Sequence, residues 1–171
     1  MKRKTMILLI VVILAFIGWG IRVYFVNDGI AKKYEIKTYK AGEIVPFDKA
    51  TFQVNNVQYG KAENNNGYKS IPVSIDMEVK NTSDKNVSLI NIIETKLTYG
   101  GNYLQTNEGN FDAEELQDLP PNSTVNFTLL YHVPLQYKGK KGKLYIDQSF
   151  YRKQVDAKYK KGKRYGISIA L

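Results

Sequence analysis

Cysteine is absent from the 171 residues, which removes disulfides, thiolate metal sites, catalytic thiols and any lipidated cysteine at the amino terminus. Histidine occurs once, at His132, so a His-rich zinc site lacks its ligands and a Ser-His-Asp arrangement has a single candidate base. His132 falls on the wet side of an alternating stretch, directly before Val133-Pro134, and reads as a solvated histidine rather than a general base. Gly60 to Gly67 (GKAENNNG) lacks the strand-to-helix context of a phosphate cradle and reads as a flexible loop. No cofactor is expected.

Acidic residues are the minority, 16 against 25 Lys plus Arg, and the imbalance is local. Residues 27–137 carry 10 basic and 14 acidic side chains, a net of −4, whereas residues 138–171 carry 11 and 2, a net of +9. Lys2, Arg3, Lys4 and Arg22 supply the rest of the positive charge.

Met6 to Ile21 holds no charged residue, and past Arg22 the apolar run continues to Val26. These 21 residues would form a helix of about 31 Å, enough to cross a hydrocarbon core of about 30 Å. Lys2, Arg3 and Lys4 precede the run, and Trp19, Tyr24 and Phe25 stand at its far end as interfacial aromatics. This pattern predicts a single-pass signal-anchor in the cell membrane, with a cytosolic amino terminus and an extracytoplasmic carboxyl-terminal domain. Lys32, Lys33, Lys37 and Lys40 on the other side weaken the charge argument; the compact leading cluster and the size of the trailing domain favour this orientation. A cleaved signal peptide is the rival, because Gly18-Trp19-Gly20 is small-large-small, but that site is poor and the run is long for such a segment. Residues 1–26 are thus the cytosolic cluster and anchor, 27–41 a polar juxtamembrane spacer, and 42–171 one domain of ordinary size.

Period-two alternation dominates that domain. Ile71, Val73, Ile75, Met77 and Val79 alternate with polar neighbours, as do Val125, Phe127, Leu129, Tyr131 and Val133, which predicts two long half-buried strands. Pro72 places the start of the first on an edge or before pairing is complete. Asn55-Asn56 breaks the phase between Phe52/Val54 and Val57/Tyr59 as a bulge would, and Gly100-Gly101 marks a hairpin between Tyr99 and Tyr103. Leu144/Ile146 and Ile167/Ile169 add further strands. The sole helical hint is Asp112 to Leu116, where Asp112 and Glu115 have capping-box spacing. The polar knot Asn81 to Asn86 reads as a turn, since Asn, Ser and Asp side chains hydrogen-bond nearby backbone. The fold class is mainly β, an immunoglobulin-like antiparallel β-sandwich preceded by one amino-terminal transmembrane helix.

The order of motifs resembles the telokin-like, immunoglobulin-fold extracytoplasmic domains of Gram-positive bacteria. These are domains of unknown function carried on a membrane anchor or lipoprotein tether. The resemblance is carried by Gly42-Glu43-Ile44-Val45, Phe52 to Val57, Val73 to Val79 with Lys80-Asn81-Thr82, and Lys96 to Tyr99 with Gly101-Asn102-Tyr103. Leu119-Pro120-Pro121 and Tyr131 to Pro134 complete it over roughly residues 42–147. Pro121-Asn122-Ser123 departs from the family's usual Pro-Gly-Glu at a turn. The resemblance implies an envelope location and supplies no catalytic residues.

Asp112, Glu114, Glu115 and Asp118 lack the spacing and glycine of a calcium loop and read as a solvated face. Four Asn-X-Ser/Thr triplets, at Asn81, Asn86, Asn122 and Asn126, match glycosylation acceptors in form only. The feature that exceeds an ordinary surface is the basic carboxyl-terminal segment: Lys138, Lys140, Lys141 and Lys143, then Arg152 and Lys153, then Lys158, Lys160, Lys161, Lys163 and Arg164. Both outer clusters flank strands, which leads to the expectation that their charges converge on one edge or end. Tyr137, Tyr145, Tyr151, Tyr159 and Tyr165 are interleaved, to stack or to pack. Such a patch would meet anionic lipid headgroups or anionic wall polymer. The leading reading is a non-catalytic envelope module that binds or scaffolds an envelope protein, with wall polymer or lipid as a second contact. The alternative, a nucleic-acid-binding accessory protein using the basic end, requires the reverse topology or extracellular DNA. A hydrolase is a third, weaker reading.

Overall fold

The two alternating stretches lie side by side at the centre of the protein. In the computed structural model, which describes residues 3–28, 30–65 and 67–171, the chain begins with helix α1 (Arg3–Asn27). Strands β1 (Lys33–Lys40), β2 (Val45–Pro46), β3 (Ala50–Tyr59), β4 (Glu63–Asn65) and β5 (Tyr68–Asn81) follow. Next come β6 (Lys96–Tyr99), β7 (Asn102–Leu104), β8 (Gly109–Asn110), the short helix α2 (Ala113–Gln117) and β9 (Thr124–Pro134). The chain closes with β10 (Lys143–Ile146), helix α3 (Arg152–Tyr159) and β11 (Lys163–Ala170). Lys2 of the leading basic cluster, Gly29 of the expected spacer and Asn66 of the 60–67 loop lie outside the described residues.

Two sheets form a sandwich. Sheet A has the order β1-β11-β10-β6-β7, and sheet B has the order β2-β3-β5-β9-β8 with β4 added to β5. In sheet B, Val73 pairs with Tyr131, Ile75 with Leu129, Met77 with Phe127 and Val79 with Val125, so apolar side chains meet across the ladder on one face. That face packs on Leu97, Tyr99, Leu144, Ile146, Tyr165, Ile167 and Ile169 of sheet A. Each large side chain so buried contributes about 1.5–3 kcal/mol. Two of the buried tyrosines have bonded hydroxyls: Tyr131 donates to the Thr95 carbonyl at 2.6 Å and Tyr151 to the Ile146 carbonyl at 3.0 Å, whereas those of Tyr39 and Tyr99 have no such partner among the described residues.

Local signals are realised where expected. The β3–β5 register slips between Val54 and Asn56. Gly100 and Gly101 both adopt positive φ, 57° and 91°, in the two-residue β6–β7 turn. Asp112 caps α2, its Oδ1 accepting from the Glu114 and Glu115 amides. Pro72 sits where β3 has ended at Val73 and β4 begins at Ser70, so its missing N–H breaks no ladder on that side.

Two expectations require correction. Residues 27–41 are not merely a spacer, because Lys33–Lys40 forms β1, paired in parallel with the whole of β11. Its sequence hides this: β1 is an edge strand that buries only Tyr39, so its Lys-rich face follows no hydrophobic alternation. The second is α3, which has no buried residues of its own and takes its stability from lying against β11 and Phe150-Tyr151.

The turn that follows β5 is built around one side chain. Asn81 is fully buried; its amide donates to the carbonyls of Lys85 (2.8 Å), Leu119 (2.9 Å) and Pro120 (3.0 Å). Its carbonyl accepts from the Ser83 amide and hydroxyl, both at 2.8 Å. Replacing Asn81 by Leu leaves three carbonyls without that donor, and we expect a loss of about 2–3 kcal/mol in chemical denaturation. Wild-type stability in Asn81→Leu would contradict this role.

Candidate functional site

Helix α1 is the one described helix long and apolar enough to span a membrane, and all of its described residues are exposed. Six residue steps separate Asn27 from Lys33, at most about 20 Å of extended chain. The end of the sandwich that holds Lys33 is therefore tied close to the end of α1, and the parallel register sets Lys163 opposite Lys33 and Ala170 opposite Lys40. This defines a helix-proximal and a helix-distal end, separated by an eight-residue strand of about 26 Å.

The eleven basic residues divide between these ends instead of converging. Lys138, Lys140 and Lys141 lie in the β9–β10 connection and Lys143 opens β10, all at the distal end; Lys143 pairs with Ala170. Arg152, Lys153 and Lys158 lie on α3, Lys160 and Lys161 in the turn after it, and Lys163 and Arg164 open β11 at the proximal end. Both clusters precede a strand. Because β10 and β11 are antiparallel, residues preceding each must stand at opposite ends.

The proximal cluster recruits residues that sequence reasoning assigned to the spacer. Lys32 and Lys33 join it through β1, and Glu35 sits in its middle, accepting from Lys158 and from Lys163 at 2.7 Å. Those hydrogen bonds, Lys158 first and Lys163 second, hold the Glu35 carboxyl down at about 2. Arg164 donates to the Ala31 carbonyl at 3.1 Å and the Tyr34 hydroxyl at 2.6 Å, and its guanidinium stacks 5.3 Å from the Tyr34 ring centre. Lys32, Lys33, Lys160 and Lys161 are exposed, and among the described residues no carboxylate lies within 4.0 Å of them.

The outer faces of the two sheets differ in chemistry. Sheet B presents Gln53, Asn56, Ser74, Asp76, Glu78, Asn126, Thr128 and His132, cross-linked by hydrogen bonds from Asn56 (3.1 Å) and Thr128 (2.7 Å) to Asp76. Sheet A presents a groove of about 590 Å³ lined by Tyr34, Ile36, Tyr103, Tyr145, Tyr159 and Arg164. Tyr34 is 71% exposed, Tyr103 63% and Ile36 47%, on a sheet face where polar residues are the norm. Gly166 supplies part of the groove floor, and Tyr103 meets Tyr145 edge-on at 6.1 Å. Of the interleaved tyrosines, Tyr145 and Tyr159 line this groove, the buried Tyr151 and Tyr165 pack edge-on at 5.9 Å and also reach its lining, and Tyr137 stacks on Tyr99 at 5.4 Å. Sequence periodicity could not assign Tyr34 or Tyr103, since Tyr34 lies on an edge strand with a single buried side chain and Tyr103 on a strand of three residues.

His132 is half-buried on sheet B, with its Nε2 3.1 Å from the Glu108 carboxylate. Among the described residues no three His, Asp or Glu side chains group as metal ligands would. Asp112 is occupied as a helix cap, and Asp118 accepts from Asn86 at 3.0 Å.

The sequence matches no protein-family profile and none of the curated proteins. Solved structures are similar in fold. An uncharacterised β-sandwich protein of Clostridium difficile 630 shares 12% identity at a TM-score of 0.56, over 82% of this chain and 97% of its own. The yjhA protein of Bacillus subtilis shares 18% identity at a TM-score of 0.50, over 78% of this chain and 98% of its own. The chain thus has the fold of uncharacterised β-sandwich proteins from Gram-positive bacteria.

The Glu35 geometry carries a pH signature. A carboxyl held below its unfolded value stabilises the native state above the ordinary carboxylate range, and that contribution is lost as pH falls from about 4.5 towards 2. Carbon NMR should find the Glu35 carboxyl titrating with a midpoint near 2, and Glu35→Gln should speed amide exchange at Tyr34 to Ile36. A midpoint near 4.5 would mean that the lysines do not hold it.

Proposed function

We propose that the chain is a single-pass, non-catalytic binding module of a Gram-positive cell envelope. Its telokin-like, immunoglobulin-type sandwich stands outside the membrane, holds an envelope protein on sheet A, and rests its proximal collar on anionic headgroups. The observation that carries this reading is the aromatic outer face of sheet A beside a mainly polar sheet B. Exposed tyrosines on a rigid sheet supply large contact area with few rotatable bonds, the composition enriched at interface hot spots.

The immunoglobulin type is supported by strand order. Sheet B runs β3-β5-β9-β8 and sheet A runs β11-β10-β6, the A-B-E-D and G-F-C arrangement of such sandwiches. The lipid contact is supported by Lys32, Lys33, Lys160 and Lys161, unpaired among the described residues and tied by a short link to α1. Each basic residue held near an anionic surface contributes about 1 kcal/mol. Wall polymer is left with the distal Lys138 to Lys143. A nucleic-acid role loses its motive, because a groove that tracks a phosphate backbone needs a continuous basic stripe, and the lysines are split.

The cysteine-free chain offers a clean topology test. On intact cells a membrane-impermeant maleimide should label Asp84→Cys and leave Lys4→Cys unlabelled until the membrane is opened; the reverse pattern would refute the orientation. A photoreactive phenylalanine derivative at Tyr103 should yield a discrete protein adduct in native membranes that one at Gln58, on sheet B, does not. Equal adducts from both positions would remove the argument for sheet A.

A further inference from the structure

The distal end of the sandwich is open. There the sheets leave a cleft of about 420 Å³, walled by Ile71, Val73 and Val133 of sheet B and by Tyr59, Tyr99 and Tyr137. Tyr99 and Tyr137 stack nearly parallel, at 16° and 5.4 Å between centres, and form an aromatic wall. The loop of lysines closes against that wall at Gly142. A Cβ there would come within 2.9 Å of the Tyr99 ring and 3.0 Å of its hydroxyl, so the hydroxyl lies level with the loop.

Two features of the cleft have no structural use. Tyr99 is only 1% exposed, and its hydroxyl makes no well-formed hydrogen bond among the described residues; the Tyr59 hydroxyl of the same cleft lies near it without closing one, an incompletely satisfied state that is costly for a buried donor. Lys138, Lys140 and Lys141 line the mouth, all exposed, and among the described residues none has a carboxylate within 4.0 Å. The Lys140 ammonium stands 5.3 Å from the Tyr137 ring centre, at the edge of the same wall. An apolar interior, one incompletely satisfied donor near the rim and three cations around the rim match a ligand with one greasy chain and one anionic head.

We propose that this cleft binds a fatty-acid-like amphiphile, a single aliphatic chain ending in a carboxylate, with the chain between the sheets and the carboxylate between the lysines and the Tyr99 hydroxyl. The site stands about a strand length from the end that α1 tethers, so its ligand is a free amphiphile rather than one embedded in the bilayer. That the ligand is free rests on the reading above that α1 lies in the bilayer with the proximal end beside it; the binding itself rests neither on the side of the membrane nor on the sheet A partner.

The test uses the full chain in phosphatidylcholine nanodiscs with two photoreactive probes, a diazirine-bearing dodecanoate and the matching dodecanol, and maps adducts by mass spectrometry. The carboxylate probe should label Tyr59 and the Val133 to Tyr137 segment more strongly than the alcohol does. Combined Lys138→Glu, Lys140→Glu and Lys141→Glu, all at exposed positions, should cut that labelling by about fivefold or more while leaving alcohol labelling unchanged. Tyr99→Phe, which keeps the ring and removes only the hydroxyl, should weaken carboxylate labelling selectively. Adducts confined to α1, equal labelling of the cleft by both probes, or carboxylate labelling unaltered in the lysine variant would each overturn the proposal.

Discussion

The parallel pairing of β1 with β11 is the constraint on which the rest of the arrangement depends. Eight residue pairs, from Lys33 with Lys163 to Lys40 with Ala170, bind the strand nearest the apolar helix to the last strand of the fold. Without it, residues 27–41 would be a flexible tether and the sandwich would have no preferred end. With it, one end of the sandwich is held near the helix and the other is carried about 26 Å away. Glu35 reinforces the pairing where it begins, joined to Lys158 in the last turn of α3 and to Lys163 at the start of β11. The same carboxylate offsets one of the two lysine charges it bridges, and Lys32, Lys33, Lys160, Lys161 and Arg164 complete the positive collar.

The distribution of tyrosine explains how one fold can offer several surfaces. Tyr131 and Tyr151 are buried with their hydroxyls bonded and serve packing. Tyr34, Tyr103, Tyr145 and Tyr159 point the opposite way and make the outer groove of sheet A. Tyr99 belongs to neither set, being buried with an incompletely satisfied hydroxyl at the mouth of an apolar cleft. Along a strand the choice between inner and outer face is decided by parity, since successive side chains alternate between faces. Sheet B, by contrast, keeps its outer face polar through Asp76 and its hydrogen-bonded neighbours.

Much of the fold was legible because long central strands must obey period two. Val73 to Val79 and Val125 to Val133 declare their inner faces without ambiguity, and Asn55-Asn56, Gly100-Gly101 and Asp112 mark a bulge, a turn and a cap by backbone chemistry that few other residues satisfy. Edge strand β1 escaped, since an edge with one buried side chain can be Lys-rich and show no alternation. Helix α3 escaped for a related reason: Arg152 to Tyr159 is held by contact with β11, a long-range effect that leaves no apolar stripe. Of the candidate site, the eleven basic residues were visible and their arrangement was not. Convergence depends on strand direction, and the antiparallel β10 and β11 carry the two clusters apart. Asn81 reads as one polar residue of a turn, and only the packing of Leu119 and Pro120 against it reveals a buried pin.

The proposed orientation of the sandwich relative to α1 and the bilayer is the central claim, and paramagnetic depth measurement addresses it most directly. With the full chain in vesicles containing anionic lipid, a spin label at Asp156→Cys, beside the collar, and another at Lys61→Cys, beyond β3, report distance to a relaxation agent fixed at the headgroups. The account predicts strong enhancement at residue 156 and little at residue 61, with the contrast reduced by high salt as the lysine contacts are screened. Equal enhancement at both positions, or a stronger effect at residue 61, would contradict it.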